Sequence, residues 1–477
     1  MRRKQTAIGF GLLALGLCIE VAVFWQERRV TPDGVRATRS APASASIRVA
    51  NLREGETLRY AVALLIGETR ASLKSAEVRV VNQNNPSLNG TYCAPIQKGR
   101  FKALVELVPG INRLRLSAGQ EQAMLTLQYR PMTTRYRVNI LFALASDSPD
   151  SPSELARLYP RYREKLDTAA KLMQTFTAES MHRQGYGRKT FALEQDANGR
   201  VVVHLLRLPL AAAQMRSASQ KNAYRLYELI YPKVQEEFPD TKHQNLVFSS
   251  VRGEDFGLGD VGMGLVDTTS LQEWPTRLQN VANAEEDSMA AWRLGIIGGA
   301  LHELGHCFGA DHSADPMSVM SAGCYYFNRM FTVTETDWRE ANQGERVFYT
   351  EREEAYWEPY IAGQFAHHRW FQPDERVFRA EKRPSITLDT ARQEIVIRAP
   401  YGIGIVQIYG PGEGKPEDYP PPKQRHHQVY TRNHPTEVRY PRTKLRQMAA
   451  APQGATVRVV DCDGNIEEQN EADLPLP

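Results

Sequence analysis

The chain has 477 residues, 42% hydrophobic and 24% charged, with a formal net charge of +4. Its length allows two to four domains, and its composition is that of an ordinary globular protein. The small net charge gives no ground for a nucleic-acid partner, and five cysteines are too few for a disulfide scaffold.

Arg2, Arg3 and Lys4 precede an apolar run from Ala7 to Trp25 that only Glu20 interrupts, which is the form of an export signal. No small-x-small cleavage site follows closely. An uncleaved anchor would keep the basic end in the cytoplasm. Glu20 and the marginal length argue instead for cleavage or a short tilted span. Residues 1–30 are expected to be a signal anchor or a signal peptide. The remainder is then either membrane-anchored by a single N-terminal span, outside the cytoplasm, or secreted. Residues 31–46, rich in Ala, Ser, Pro, Thr and Arg, read as a flexible stalk.

From 47 to 131 short alternating runs at 58–66, 76–81, 101–108, 113–116 and 124–129 are punctuated by Asn84-Asn85-Pro86, Asn89-Gly90 and Pro109-Gly110. This spacing predicts a small β-sandwich of immunoglobulin-like type. A strand at 136–145 opens the next region. A helix over 153–182 follows, with Leu166, Ala169, Met173 and Phe176 on one face; Pro160 either kinks it or marks its true start. A strand at 201–206, a helix at 218–237 kinked or shortened near Pro232, and strands at 245–251 and 261–266 complete the run up to residue 287. Gly257, Gly259, Gly262 and Gly264 surround the last strand. They permit either the close approach of another backbone or a plain glycine-rich loop.

A helix over 288–308 is predicted next, capped by Asp287 or Ser288, with Met289, Trp292, Ile296, Ala300 and Leu304 at helical spacing. Its end reads His302-Glu303-Leu304-Gly305-His306-Cys307-Phe308-Gly309-Ala310-Asp311-His312, an HExxHxxGxxH pattern. His302 and His306, four apart, share a helix face and can reach one metal. Glu303 places a carboxylate where a proton must be taken from water. Gly309 can leave the helix with φ > 0, which brings His312 back as a third ligand. Three ligands leave one tetrahedral position open, the arrangement of a catalytic zinc site, and one Zn²⁺ per chain is expected. A bare HExxH arises by chance in roughly one chain in a hundred of this length; the added glycine and histidine bring that below roughly one in ten thousand.

These residues resemble the metzincin clan of zinc metallopeptidases. Ser313-Ala314-Asp315-Pro316-Met317-Ser318-Val319-Met320 is similar to the matrixin turn, with Met320 as the Met-turn methionine packed under the metal. Astacin-like members carry a tyrosine ligand two residues later; here that position is Ala322. Tyr325 and Tyr326 are candidates for oxyanion donation or for core and cleft-wall aromatics. A matrixin-type cysteine switch is not visible upstream, where Cys93 stands alone before the helix. A broader resemblance, to a zinc metalloproteinase family of fungi and animals, rests on Phe176-Thr177-Ala178-Glu179, Gly185-Tyr186-Gly187, Thr190-Phe191 and Phe327-Asn328-Arg329-Met330-Phe331. In metzincins the edge strand before the metal helix holds extended substrate through its backbone.

Residues 132–375 are therefore expected to form the catalytic region, closed by a helix at 336–342. From 376 to 477 strands at 386–388, 394–398, 403–409 and 456–460, with a Pro-rich loop at 411–422, predict a second small β-domain with a flexible tail. His367, His368, His426 and His427 read as solvated loop histidines. Cys307 and Cys324 can bridge or remain buried thiols. The resulting expectation is a multidomain α+β protein: a metzincin-like zincin region flanked by two β-sandwich-like units. It hydrolyses peptide bonds in a peptide or protein substrate, with Glu303 as general base. A zinc hydrolase of non-peptide substrates and an idle surface-binding protein are the alternatives.

Overall fold

The computed structural model describes residues 46–71, 73–221, 223–251, 257–268, 271–336, 346–410, 425–431 and 433–474. The expected signal segment, nearly all of the stalk, the loop at 411–422 and all but Thr336 of the helix at 336–342 lie outside them. Thr336 itself ends a strand, Thr334–Thr336. No described helix is long and apolar enough to cross a membrane.

Residues 47–129 form two packed sheets. One runs Ile47–Val49, Val62–Thr69, Arg100–Glu106; the other runs Glu56–Leu58, Glu121–Tyr129, Gly110–Ala118, Glu77–Asn82, Thr91–Pro95. Alternation buries Val78, Val80, Leu114 and Leu116 and leaves Arg79, Arg113 and Arg115 in water. Val62 to Leu65 are buried without alternation. Their sheet is covered on both faces, by the five-stranded sheet and by the helix Tyr162–Arg183. The Thr175 hydroxyl of that helix donates to the Val62 carbonyl at 2.9 Å, and Tyr60 donates to Glu179 at 2.7 Å. Arg188 holds Glu179 at 2.8 Å and the Asn51 carbonyl at 2.5 Å. The Thr175 to Glu179 segment thus ties the N-terminal sheets to the centre of the molecule.

The central sheet has six strands. Ala192–Leu193, Arg137–Leu144, His243–Ser249 and Met263–Asp267 lie side by side and parallel, Val203–Arg207 also pairs Arg137–Leu144, and Gly257–Asp260 closes one edge antiparallel. One face packs on Tyr162–Arg183 and Ser288–Cys307, the other on Ala212–Lys221 and Ala223–Glu237. Two expected elements change here. The helix at 153–182 is split into Pro152–Leu158 and Tyr162–Arg183 around Pro160, with Arg161 left-handed at φ 57°. The expected strand at 261–266 is Met263–Asp267, and it is internal. The chain reverses at Gly262, φ 101°, so that the edge is the preceding glycine-rich strand.

C-terminal strands form a three-stranded sheet, Ser385–Asp389, Glu394–Arg398, Glu437–Pro441, and a four-stranded one, Arg425–Val429, Ile403–Tyr409, Thr456–Asp461, Ile466–Asn470. They enclose a core of their own, and the Gln407 amide reaches the Tyr360 carbonyl of the helix Pro359–His367 at 2.9 Å.

Candidate metal centre

The helix carrying the histidines runs Ser288–Cys307, and the Asp287 side chain accepts from Met289 N at its start. Its buried surface is not the stripe read from spacing. Of that stripe Ala300 and Leu304 are fully buried, but Met289 is exposed and Trp292 and Ile296 are half-buried, while Leu294, Ile297 and Leu301, off the stripe, are buried as well. The edge and internal strands, the turn at 322–330 and the Met-containing loop enclose the helix from several sides, so one apolar stripe does not describe its burial.

The helix ends in a Schellman motif. Gly309 N donates to His306 O at 2.8 Å and Ala310 N to Gly305 O at 3.0 Å, with Gly309 at φ 77°. Gln364, from the helix Pro359–His367, donates to the Phe308 and Gly309 carbonyls at 3.2 and 3.0 Å. The reversed chain returns His312 to the helix. Ligand atoms of His302, His306 and His312 then all lie within 4.8 Å of one another, the only such group among the described residues. Nε2 of His306 stands 3.2 Å from Nε2 of both His302 and His312.

The tautomers of the two helix histidines follow from their partners. Nδ1 of His302 lies 2.8 Å from the Val319 carbonyl and Nδ1 of His306 lies 2.8 Å from the Ala310 carbonyl. A carbonyl only accepts, so each Nδ1 carries its proton and each Nε2 presents a lone pair. Lone pairs facing each other at this distance repel unless a cation lies between them. Tetrahedral ligands about 2.0–2.1 Å from Zn²⁺ stand about 3.3 Å apart, so the cluster fits that ion. Burial, with the neighbouring imidazoles, holds His302 well below the ordinary histidine range and His306 down at about 3, so both are neutral. His302 and Glu303 are buried, while His306 and His312 are half-buried and form the open side.

Burial pushes Glu303 up to about 8. The edge strand Gly257–Asp260 lies on this part of the helix so closely that a methyl group at Gly257 would overlap the Glu303 carboxylate, and one at Gly259 would overlap its carbonyl. Met320 is fully buried with its sulfur against Gly305, between the two helix histidines, and Trp357 packs beside it. The loop carrying it closes through Ser313 N to Met320 O at 2.8 Å. Ser313 donates to Glu358, Tyr356 donates to Asp315, and Asp315 accepts from Met317 N at 2.9 Å. Ser313 and Asp315 therefore shape the turn whose Val319 carbonyl orients His302. Ala322 begins the turn Ala322–Met330. In that turn the Tyr325 backbone packs on Gly295, and Tyr326 lies beneath the Arg329 guanidinium, 3.9 Å from the ring centroid.

Other expected residues are placed elsewhere. Cys307 and Cys324 are buried free thiols. Cys93 sits on a strand whose backbone is held by Gln279, at 2.7 and 3.0 Å. Of the histidines read as solvated loop residues, His426 is exposed, but none of the four is both solvated and in a loop. His367 ends a helix and His368 is buried against Phe308 and Trp370, where burial and the adjacent Arg369 hold it at about 3. His426 and His427 lie on the strand Arg425–Val429. Gln364 and Gly257 carry no sequence signal of their own; only the glycine spacing around 257–264 hints at close packing.

A three-histidine cluster, two on a glycine-ended helix and the third on the returning chain, beside a mixed sheet, is the class of site this fold presents. The chain belongs to the family described as "Putative peptidase family", whose model matches residues 46–252 and 258–401. It is 27% identical over 334 residues to a protein of Schizosaccharomyces pombe named Putative zinc metalloproteinase, covering 60% of this chain and 53% of that one. A Saccharomyces cerevisiae protein given the same description is 25% identical over 394 residues, covering 69% and 55%. The chain spans about half the length of these relatives. Among solved structures, catalytically inactive OgpA from Akkermansia muciniphila in complex with an O-glycopeptide substrate has a TM-score of 0.46 at 13% identity, covering 71% of this chain and 92% of that one. Archaemetzincin from Methanopyrus kandleri has a TM-score of 0.20 at 18% identity, covering 40% and 84%.

Proposed function

We propose that this chain is a zinc-dependent metalloendopeptidase of metzincin type, with a matrixin-like helix and Met-turn. The observation that carries the reading is the convergence of the imidazole nitrogens of His302, His306 and His312 beside the buried Glu303 carboxylate. Family membership and the names of the fungal relatives support it.

His302, His306 and His312 would hold one Zn²⁺, which when bound would polarise a carbonyl and lower the pKa of water to about 7. Glu303 accepts the proton of the attacking water on a carboxylate oxygen, in a site where burial raises its affinity for that proton. It then passes the proton to the leaving amine nitrogen. The backbone of Gly257–Asp260, an edge among the described residues, holds an extended peptide by main-chain hydrogen bonds. The Val319 carbonyl holds the first imidazole in place, while Met320 packs against the helix at Gly305. The apolar run from Ala7 to Trp25, read as an export signal, supports a site of action outside the cytoplasm, anchored or secreted.

Digestion of a peptide library tests the reading, using wild type, Glu303→Gln and chelator-treated wild type, with metal analysis of each. Cleavage by wild type alone is expected. Near-normal cleavage by Glu303→Gln would sink the assignment of the base, and cleavage unaffected by chelator would sink the metal.

A further inference from the structure

The third histidine reaches the other two only because the loop from Phe308 to His312 holds its shape. Gln364 fixes the start of that loop through two carbonyls. Asp311, beside the ligand, is held from a distant part of the chain. Nη2 of Arg458, on the strand Thr456–Asp461, lies 2.9 Å from its Oδ2. Arg458 is 7% exposed, and its guanidinium also contacts Gln364 Oε1 at 3.4 Å and Glu468 at 2.5 Å. Glu468 stands directly opposite on the neighbouring strand. That cross-strand pair fixes the guanidinium from the sheet side, because a buried charge is tolerated only when it is paired. One rigidly placed cation therefore touches both the residue that caps the loop and the residue that precedes its ligand. It lies beyond residue 401, where the family match ends.

We infer that Arg458 is a positioning residue of the metal centre: through Asp311 and Gln364 it sets the loop that delivers His312, which makes the C-terminal sheet part of that centre. The inference rests on reading the histidine cluster as a zinc site. Its physical content is preorganisation. A loop already in the binding geometry loses no further freedom when the ion arrives, and outer partners of metal ligands typically contribute 10- to 100-fold in affinity.

The test is zinc affinity of the full chain, measured by chelator competition, for wild type, Asp311→Asn, Asp311→Glu, Arg458→Met and the double variant Asp311→Asn/Arg458→Met. Asp311→Asn and Arg458→Met are each expected to bind zinc about 10- to 100-fold more weakly. The double variant should lose no more than the weaker single, since both remove one shared contact. Asp311→Glu, which keeps the carboxylate, should recover most of the affinity. Asp311 is partly exposed, so the metal-free melting temperature of Asp311→Asn should match wild type while its rise on adding zinc shrinks. Wild-type affinity in Asp311→Asn, or fully additive losses in the double variant, would overturn the inference. If Arg458→Met does not fold, the two Asp311 variants decide it. Failure of wild type to bind zinc, or undiminished binding by His312→Ala, would instead overturn the reading of the cluster itself.

Discussion

The roles proposed for Glu303 and for the histidines are separable by single substitutions. Glu303→Gln keeps all three imidazoles and should retain zinc, while losing about 10²- to 10⁴-fold in kcat. His306→Ala removes a ligand and should lose both metal and activity. Zinc analysis beside peptide hydrolysis checks the pair. Gly257 supplies a subtler case. Its missing side chain leaves the space that the Glu303 carboxylate occupies. Gly257→Ala should displace that carboxylate and lower kcat about 10- to 100-fold, because misplacing a reacting group by about 1 Å has effects of that order. Zinc content should stay at wild-type level; a loss of zinc would show that the methyl group disturbs the helix rather than the base.

The histidine-bearing helix is held at its two ends by different devices. At the N-terminus, Asp287→Ala removes the cap on Met289 N and should cost about 1 kcal/mol in urea unfolding. That end lies remote from the ligands, so zinc affinity should not move. At the C-terminus, Gly309 holds φ 77°, where a Cβ costs about 1–2 kcal/mol. Gly309→Ala should show that loss and weaker zinc binding as well, because the same residue turns His312 toward the helix. Equal zinc affinity in the two variants would contradict this division. The difference in legibility between the ends of this helix has a physical cause. The glycine after the last turn and the polar cap before the first are local necessities and leave a local pattern. The buried face is set by several neighbours at once, so the stripe through Met289, Trp292, Ile296, Ala300 and Leu304 is right at Ala300 and Leu304 and misreads the first three.

Glu354 joins three parts of the molecule. Standing in the segment that leads to the helix Pro359–His367, its carboxylate takes Lys102 from the N-terminal sheets at 2.8 Å and Arg183 from the long helix at 2.5 Å. Burial alone would raise its pKa; Lys102 and Arg183 outweigh that and hold it below the usual carboxylate range. A depressed acid contributes stability that is present above its unfolded value, about 4.5, and is lost as pH falls through the folded one. Glu354→Gln should therefore cost about 3–5 kcal/mol at pH 7, where it leaves the buried Lys102 and the half-buried Arg183 without their shared carboxylate. The gap between wild type and variant should narrow below about pH 4.5. Urea midpoints at pH 7 and under acid conditions measure both. A gap independent of pH would assign the cost to packing and not to charge.

The candidate metal centre is legible in the chain because its parts are neighbours: histidines four apart on a helix, a carboxylate beside the first, a glycine where the chain must turn. Short-range spacing encodes a helix face and a reversal, and the HExxHxxGxxH run is made of little else. Alternation likewise marks Glu77–Asn82 and Gly110–Ala118, where one sheet face meets water. Only the tertiary structure decided that Gly257–Asp260 is the edge strand, that His368 is core, that Glu179 and Glu354 bind the N-terminal sheets to the centre, and that Arg458 reaches Asp311. Each of these joins groups far apart in the chain, and a buried charge or polar group records in its own neighbourhood only that it needs a partner, not where that partner lies.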